Sequence, residues 1–449
     1  MPDYKIETVG AGAEIVAVPA DRFKTNELSI SFFMPLSDET ASVNAAVPML
    51  LSRNSMQYPT ILSLNRKLAS LYGAVIEASV SKVGEIQQLK LGMTCLDDRF
   101  SLDGEKITSQ CIKLLLSMVF DPLLDDNGFF PADRTEREKQ VLIEKIESDE
   151  NEKRLYVLKK AEELMFAGEP YAVGKYGTRQ QIAAITPQSA TAAWKNILKS
   201  AKIVLTVVGN ADVESAKADF AEYIDKIERN YIPLDYAKIA FDVPKVKRAE
   251  EALDIKQGKL VIGFRADCSP KNAEAAAQMR AFCDVFGGGP YSKLFANVRE
   301  KMSLCYYCSA RFVKQKSFIM VQSGCEESNM DKAEKEILAQ IEEIKKGNFD
   351  YEFNSSKAGL SDALRSVCDA PESLEVWYTA QAPFGEYISP LESAALNDGV
   401  TKQQIIDCAN KIKLDTVYKL VCTNYFRGGR RIMKTVDSAV FHEKYYEID

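Results

Sequence analysis

Two β-patterned runs open the chain. AEIVAVPA and LSISFFMPL, separated by the polar DRFKTNE, predict two strands. Between residues 43 and 71 apolar positions recur three and four apart through VPMLLSR and ILSLNRKLASLYG, which predicts helices stopped at Gly73. AVIEASVSK and GEIQQLKLGMTCL predict a strand pair turning near Lys82 to Glu85, and KITSQCIKLLLSMVF predicts an amphipathic helix. RTEREKQVLIEKIESDENEKRLYVLKKAEELMF, rich in Glu and Lys four apart, predicts one long charged helical stretch. A helix around ATAAWKNILKS and the strand AKIVLTVVGN, ended by Gly209 and Asn210, close this half.

The second half repeats the order. LVIGFRAD predicts a strand, NAEAAAQMRAFCDVF a helix, SLCYYCSARF and SFIMVQSGC two strands, and DKAEKEILAQIEEIKKG and YEFNSSKAGLSDALRS two helices. VTKQQIIDCANKI followed by TVYKLVCTN restates the helix and strand that close the first half, as an internal duplication would. The proline-bearing, charged YIPLDYAKIAFDVPKVKRAEE reads as a linker. The expected organisation is an N-terminal domain over 1–230, a linker over 231–250 and a C-terminal domain over 251–449. Helices sandwiching mainly antiparallel strands give an α+β class.

At 449 residues the chain exceeds one ordinary core, which agrees with two domains. Its 46% hydrophobic and 27% charged residues are those of a globular protein, which excludes disorder, collagen and a coiled-coil rod. Fifty-seven Lys and Arg against 64 Asp and Glu leave a net charge of −7, so the basic footprint of a nucleic-acid binder is missing. No apolar run approaches the roughly 20 residues of a membrane span, and MPDYKIETVGAG lacks the features of a secretory signal. Ten scattered cysteines then read as reduced, mostly buried thiols of a cytoplasmic protein.

A single histidine, His442, excludes any mechanism that needs two on one chain. HEKYY imitates the start of an H-E-x-x-H motif but ends in Tyr446, so His442 reads as a solvated or locally packed side chain. Cys305 and Cys308 form a C-x-x-C without the second pair a zinc ribbon needs, and in a strand residues three apart face opposite sides. They read as two buried structural thiols. Gly287, Gly288 and Gly289 lack the following Lys-Ser/Thr of a phosphate loop and predict a tight turn with close backbone packing. Arg427, Arg430 and Arg431 form the most basic spot and read as a solvated loop.

FGGGPYSKLFANVREKMSLCYY, from Phe286 to Tyr307, closely resembles the C-terminal signature of the M16 metallopeptidases (pitrilysin, insulinase and mitochondrial processing peptidase). MQYPTILSLNRKLASLYGA, EREKQVLIEKI and the GEPYAVGKYGT loop fit the same family in the same order, so the resemblance covers nearly the whole chain. It implies two homologous α/β-sandwich halves of the processing-peptidase-like metallohydrolase fold. The family's chemistry implies His-x-x-Glu-His on a helix, with a distant Glu completing a zinc site. Zinc lowers the pKa of bound water from about 15.7 to about 7. Here the two histidine positions fall on Ala45 and Met49, the general-base position on Pro48, and the distal ligand on Lys145, with Glu138 and Glu144 beside it. Alanine offers no donor, a thioether suits softer ions, and proline carries no carboxylate and favours a helix's first turn over its interior. No zinc site is expected on this chain.

What the resemblance leaves in place is the second half's Arg299 and Tyr306, which in the family orient the scissile peptide and stabilise charge on its carbonyl oxygen. Ser303 departs from the family, where a glycine is usual before Leu304. AVIEASVSK corresponds to the family's edge strand, on which an extended peptide can add. The resemblance thus implies a non-catalytic subunit that gives Arg299 and Tyr306 to a zinc-bearing paralogue, as a heterodimer acting on peptides. A homodimeric structural or peptide-binding scaffold without peptidase activity is the alternative.

Overall fold

A computed structural model describes residues 4–235 and 239–423 and the backbone of 431–435 and 444–448. The chain divides into two compact units. One comprises residues 1–148, 173–236 and 365–390, and the other 149–172, 237–364 and 391–449. Each unit therefore takes most of one half of the sequence and one segment of the other half, an exchange absent from the division into 1–230 and 251–449.

The chain begins with β1 (Lys5–Gly10), β2 (Ala13–Pro19), β3 (Thr25–Pro35), α1 (Ala41–Leu51), α2 (Ile61–Ser70), β4 (Val75–Val83), β5 (Ile86–Leu96), α3 (Ile107–Phe120), α4 (Ala132–Asn151) and α5 (Lys153–Met165). α6 (Arg179–Ala183), α7 (Pro187–Ser200), β6 (Lys202–Gly209) and α8 (Val213–Ile224) complete the N-terminal half. The C-terminal half holds β7 (Lys247–Leu253), β8 (Gly258–Arg265), α9 (Ala273–Gly287), β9 (Cys305–Val313), β10 (Phe318–Cys325), α10 (Met330–Lys345), α11 (Asp350–Ser366), α12 (Pro371–Thr379), α13 (Pro390–Asp398), α14 (Lys402–Lys411), β11 (Lys413–Cys422), β12 (Arg431–Thr435) and β13 (Lys444–Ile448).

In the first unit the sheet order is β1-β2-β6-β3-β5-β4, with β2 and β6 parallel and the other neighbours antiparallel. β6 is buried along its whole length, which explains why AKIVLTVVGN reads as a continuous apolar run. Successive residues serve opposite faces. Ile203, Leu205 and Val207 join Leu28, Ile30 and Phe32 in a core shared with Leu115 of α3 and Ile197 of α7. The opposite face is more polar: the Ser29 hydroxyl donates to Glu375 at 2.6 Å, and the hydroxyls of Thr206 and Thr379 hydrogen-bond at 2.8 Å. Glu375 and Thr379 belong to α12, the helix taken from the other half of the sequence.

In the second unit the order is β13-β12-β7-β11-β8-β10-β9, with β7 and β11 parallel. Its five strands β7-β11-β8-β10-β9 repeat β2-β6-β3-β5-β4 in order and direction, so the duplication extends from the sequence to the topology. One face carries Leu260, Ile262 and Phe264 against α9, α10 and α14. The other carries Val261, Phe318, Met320 and Tyr418 against Tyr156, Val157 and Met165 of α5, the reciprocal exchanged helix. Tyr156 donates its hydroxyl to buried Glu251 at 2.7 Å, and Tyr418 donates to the same carboxylate.

The single helical stretch expected across 134–166 is in fact two helices. Glu152 leaves helical geometry with ψ of 97°, and its carboxylate caps α5 by accepting from the Arg154 N–H. Pro48 also departs from expectation, lying inside α1 instead of in a first turn.

Candidate functional site

Two places bear on function, one in each unit. α1 is almost wholly buried, and Ala45 and Met49 are 0% and 4% exposed within the first core. Pro48, between them in the family pattern, lacks an N–H to donate to the Asn44 carbonyl one turn back. These three positions offer apolar surface where two imidazoles and a carboxylate would stand.

On α4 the buried carboxylate is Glu138, which accepts from the Arg53 guanidinium at 2.9 Å. Glu144 is exposed and accepts from the Gln140 amide at 3.0 Å, and Lys145 is half-buried. The carboxylate nearest in character to a distal ligand is thus already neutralised, and the position assigned to that ligand is a cation. Among the described residues no three His, Cys, Asp or Glu side chains converge as a metal site would require. The donor set does not fit zinc.

The second place is an open hollow of about 540 Å³ in the second unit, lined by Arg299, Tyr306, Cys305 and Glu326 among others. α9 leads to it through Gly287, whose Cβ would meet the Ala310 backbone nitrogen at 2.7 Å, so the glycine permits the close approach of helix and strand that the sequence suggested. Residues Leu294–Lys301 then form a π-helix, a widened coil often found at functional sites. Arg299 lies on it, with its guanidinium carbon 4.6 Å from the Phe295 ring centroid and a nitrogen 3.5 Å from the Glu300 carboxylate. The chain turns into β9 through Ser303, at φ 52°. That left-handed conformation favours glycine, which accounts for the family's residue there.

Tyr306 owes its direction to a β-bulge. Gly324 of β10 faces Tyr307, and Cys325 faces Cys305, so Tyr306 has no partner in the ladder. The side chain is 60% exposed, and its hydroxyl donates to Glu326 at 3.4 Å.

The same bulge corrects the expectation for the C-x-x-C. Cys305 and Cys308 face one side of the strand, since they stand opposite Cys325 and Ser323, and both join the second core. A hydrogen bond from the Cys308 thiol lowers Cys305 to about 7 against the opposing effect of burial, with Ser323 and the Arg299 charge helping. The same coupling and burial drive Cys308 up.

The structure thus brings Arg299 and Tyr306 to one hollow and leaves Ala45, Pro48, Met49 and Lys145 on helices of the other unit. Glu326 and Cys305 are hollow residues that the sequence reading did not assign to it. A one-residue register shift has no periodic signal, and Glu326 arrives from the end of β10. β4, the expected peptide-adding strand, stands at one edge of its sheet. No helix among the described residues is long and apolar enough to cross a membrane. His442, Arg427 and Arg430 lie outside the described residues.

Comparison with known proteins agrees with this arrangement. Residues 184–360 match the model of the peptidase M16 inactive domain. A probable inactive metalloprotease of Bacillus subtilis, YmfF, is 28% identical over 405 residues, covering 90% of this chain and 94% of that protein. A conserved protein from Enterococcus faecalis superposes with a TM-score of 0.84 at 24% identity, covering 94% of this chain and 99% of that one. A peptidase M16 inactive domain from Pseudomonas fluorescens superposes at 0.75 with 17% identity, over 94% and 98% of the two chains. The duplicated sheets, the FGGGPYSKLFANVRE segment and these matches together make the chain similar to inactive M16 peptidases, with a two-half M16-like fold and without the zinc motif.

Proposed function

We propose that this chain is the non-catalytic subunit of an M16-type peptidase, supplying Arg299 and Tyr306 to a zinc-bearing paralogue that hydrolyses peptides. One observation carries the reading. The hollow holds both side chains, Tyr306 bulged outward, while the zinc positions Ala45, Pro48 and Met49 lie in apolar core. A guanidinium and a phenol can donate hydrogen bonds to a peptide carbonyl and to the charge that develops on it. Neither holds a metal that would activate water, so in this reading the partner's zinc supplies the nucleophile. Ten free thiols, nine of them buried, support a cytoplasmic setting for the pair.

The test mixes the purified chain with a zinc-bearing M16 chain of the same organism and follows cleavage of a fluorogenic unfolded peptide. The chain alone should be inactive and the mixture active. Arg299→Ala or Tyr306→Phe should reduce the mixture's rate at least tenfold, a barrier change of about 1.4 kcal/mol. Full activity with Arg299→Ala would remove the substrate role. A stable homodimer indifferent to zinc-bearing chains would favour the scaffold alternative.

A further inference from the structure

The two cysteines beneath Tyr306 have a geometry that neither the peptidase reading nor the family match uses. Cys305 and Cys308 stand opposite Cys325 and Ser323 of β10, two residues apart on the partner strand. That spacing sets their Cα atoms roughly 6.6 Å apart, at about the upper end of the disulfide range. Both side chains enter one core. Both are largely buried, Cys305 at 9% and Cys308 at 5% exposure, and of the two only Cys305 lines the open hollow beside Arg299. The hollow therefore brings a small molecule to Cys305 before Cys308.

We propose that Cys305 and Cys308 form a peroxide-reactive dithiol, a modification site in which Cys305 attacks and Cys308 resolves. The Cys305 thiolate displaces hydroxide from hydrogen peroxide. The hydroxide takes up the proton Cys305 released and leaves as water, and Cys305 becomes a sulfenic acid. The Cys308 sulfur then attacks the Cys305 sulfur, the S–O bond breaks, and the departing hydroxyl takes the Cys308 proton as a second water. Two thiols lose two electrons and two protons, and one peroxide becomes two waters. The near-neutral Cys305 thiol supplies thiolate at physiological pH, the form that reacts. Cys325, across the ladder from Cys305, is fully buried and pushed up to about 11 by burial, so it stays protonated. The site is independent of the partner chain proposed above.

The experiment treats the folded full-length chain with hydrogen peroxide, blocks remaining thiols with iodoacetamide and digests with trypsin. The stretch MSLCYYCSAR, from Met302 to Arg311, carries both cysteines on one tryptic peptide. It should appear unalkylated and lighter by two hydrogens, and dithiothreitol should restore alkylation. In Cys308→Ser, dimedone should trap a sulfenic acid on Cys305, and in Cys305→Ser, Cys308 should stay reduced. Full alkylation of this peptide while half-buried Cys422 is oxidised would overturn the proposal. So would a dimedone adduct on Cys308 in Cys305→Ser, or a bridge from Cys305 to Cys325 in the parent chain.

Discussion

Lys90 on β5 donates to Glu375 on α12 at 2.9 Å, joining residues 285 positions apart inside the first unit. Glu375 also accepts from the hydroxyls of Ser29 and Thr379, and its side chain is 1% exposed. Lys90 and Ser29 of the sheet thus meet α12 at one carboxylate, beside the Thr206–Thr379 hydrogen bond. Removing one member of a buried pair leaves the other charge desolvated. Glu375→Ala should lower unfolding free energy by about 3 kcal/mol, read from urea midpoints, and Glu375→Gln by less, since the amide oxygen still accepts from Ser29. A change within experimental error for Glu375→Ala would show that the exchanged helix is held by other contacts.

Glu27 on β3 makes stability depend on pH. Burial raises its carboxyl from 4.5 to about 7, the Thr94 hydroxyl partly opposes this, and Glu375 and Glu372 add to the rise. Between those pH values the folded state keeps a proton that the unfolded chain has released. The stabilisation from that proton is complete below pH 4.5 and is lost as pH climbs through about 7. At 1.36 kcal/mol per unit, the loss is about 3 kcal/mol. Glu27→Gln should be less pH-dependent across this window and more stable than the parent at pH 8. Denaturant titrations in parallel at pH 5 and pH 8 check it, and parallel pH profiles for the two proteins would refute it.

The strands and most helices were legible because burial on one or both faces leaves a period of two, a period near 3.6, or a continuous apolar run. The repeated order of elements was legible for the same reason, and it reappears as the shared five-strand order of the two sheets. The exchange of α5 and α12 was not. An amphipathic pattern shows that a helix has a buried face, yet not which sheet receives it. α12 escaped further because the face it covers presents Ser29, Lys90 and Thr206, which look like solvated positions until their partners are known. In the candidate site, the vacancy at Ala45, Pro48 and Met49 could be read directly from residue type. The direction of Tyr306 could not, since one unpaired residue in β9 reverses the facing of everything before it.

Ser303 sets the approach to that bulge. At φ 52° its Cβ is strained in a way glycine avoids. Against this, glycine gains freedom in the unfolded chain, so Ser303→Gly should change stability by less than about 1 kcal/mol. Ser303→Val places a β-branched side chain in the same conformation and should cost about 1–3 kcal/mol. If the turn aims Tyr306, the valine variant should also slow cleavage in the mixture with a zinc-bearing chain, and the glycine variant should not. Equal thermal midpoints for the two variants would remove the conformational argument.

Restoring the motif should not restore the metal. In Ala45→His/Pro48→Glu/Met49→His, the new imidazoles lie at i and i+4 on one face of α1, the spacing a zinc pair uses. Replacing Pro48 returns a backbone N–H to the helix interior, which favours folding. Against that, His at 45 needs volume where Ala45 is fully buried, and polar atoms enter a closed apolar core. The remaining ligand is missing as well, because Glu138 is held by Arg53, Glu144 points to solvent and Lys145 is a cation. The variant should melt below the parent and lose added zinc on dialysis, measured by plasma mass spectrometry. Zinc retained one-to-one would mean that the cradle survived beneath the apolar replacements and that ligand identity alone separates this chain from its metal-bearing relatives.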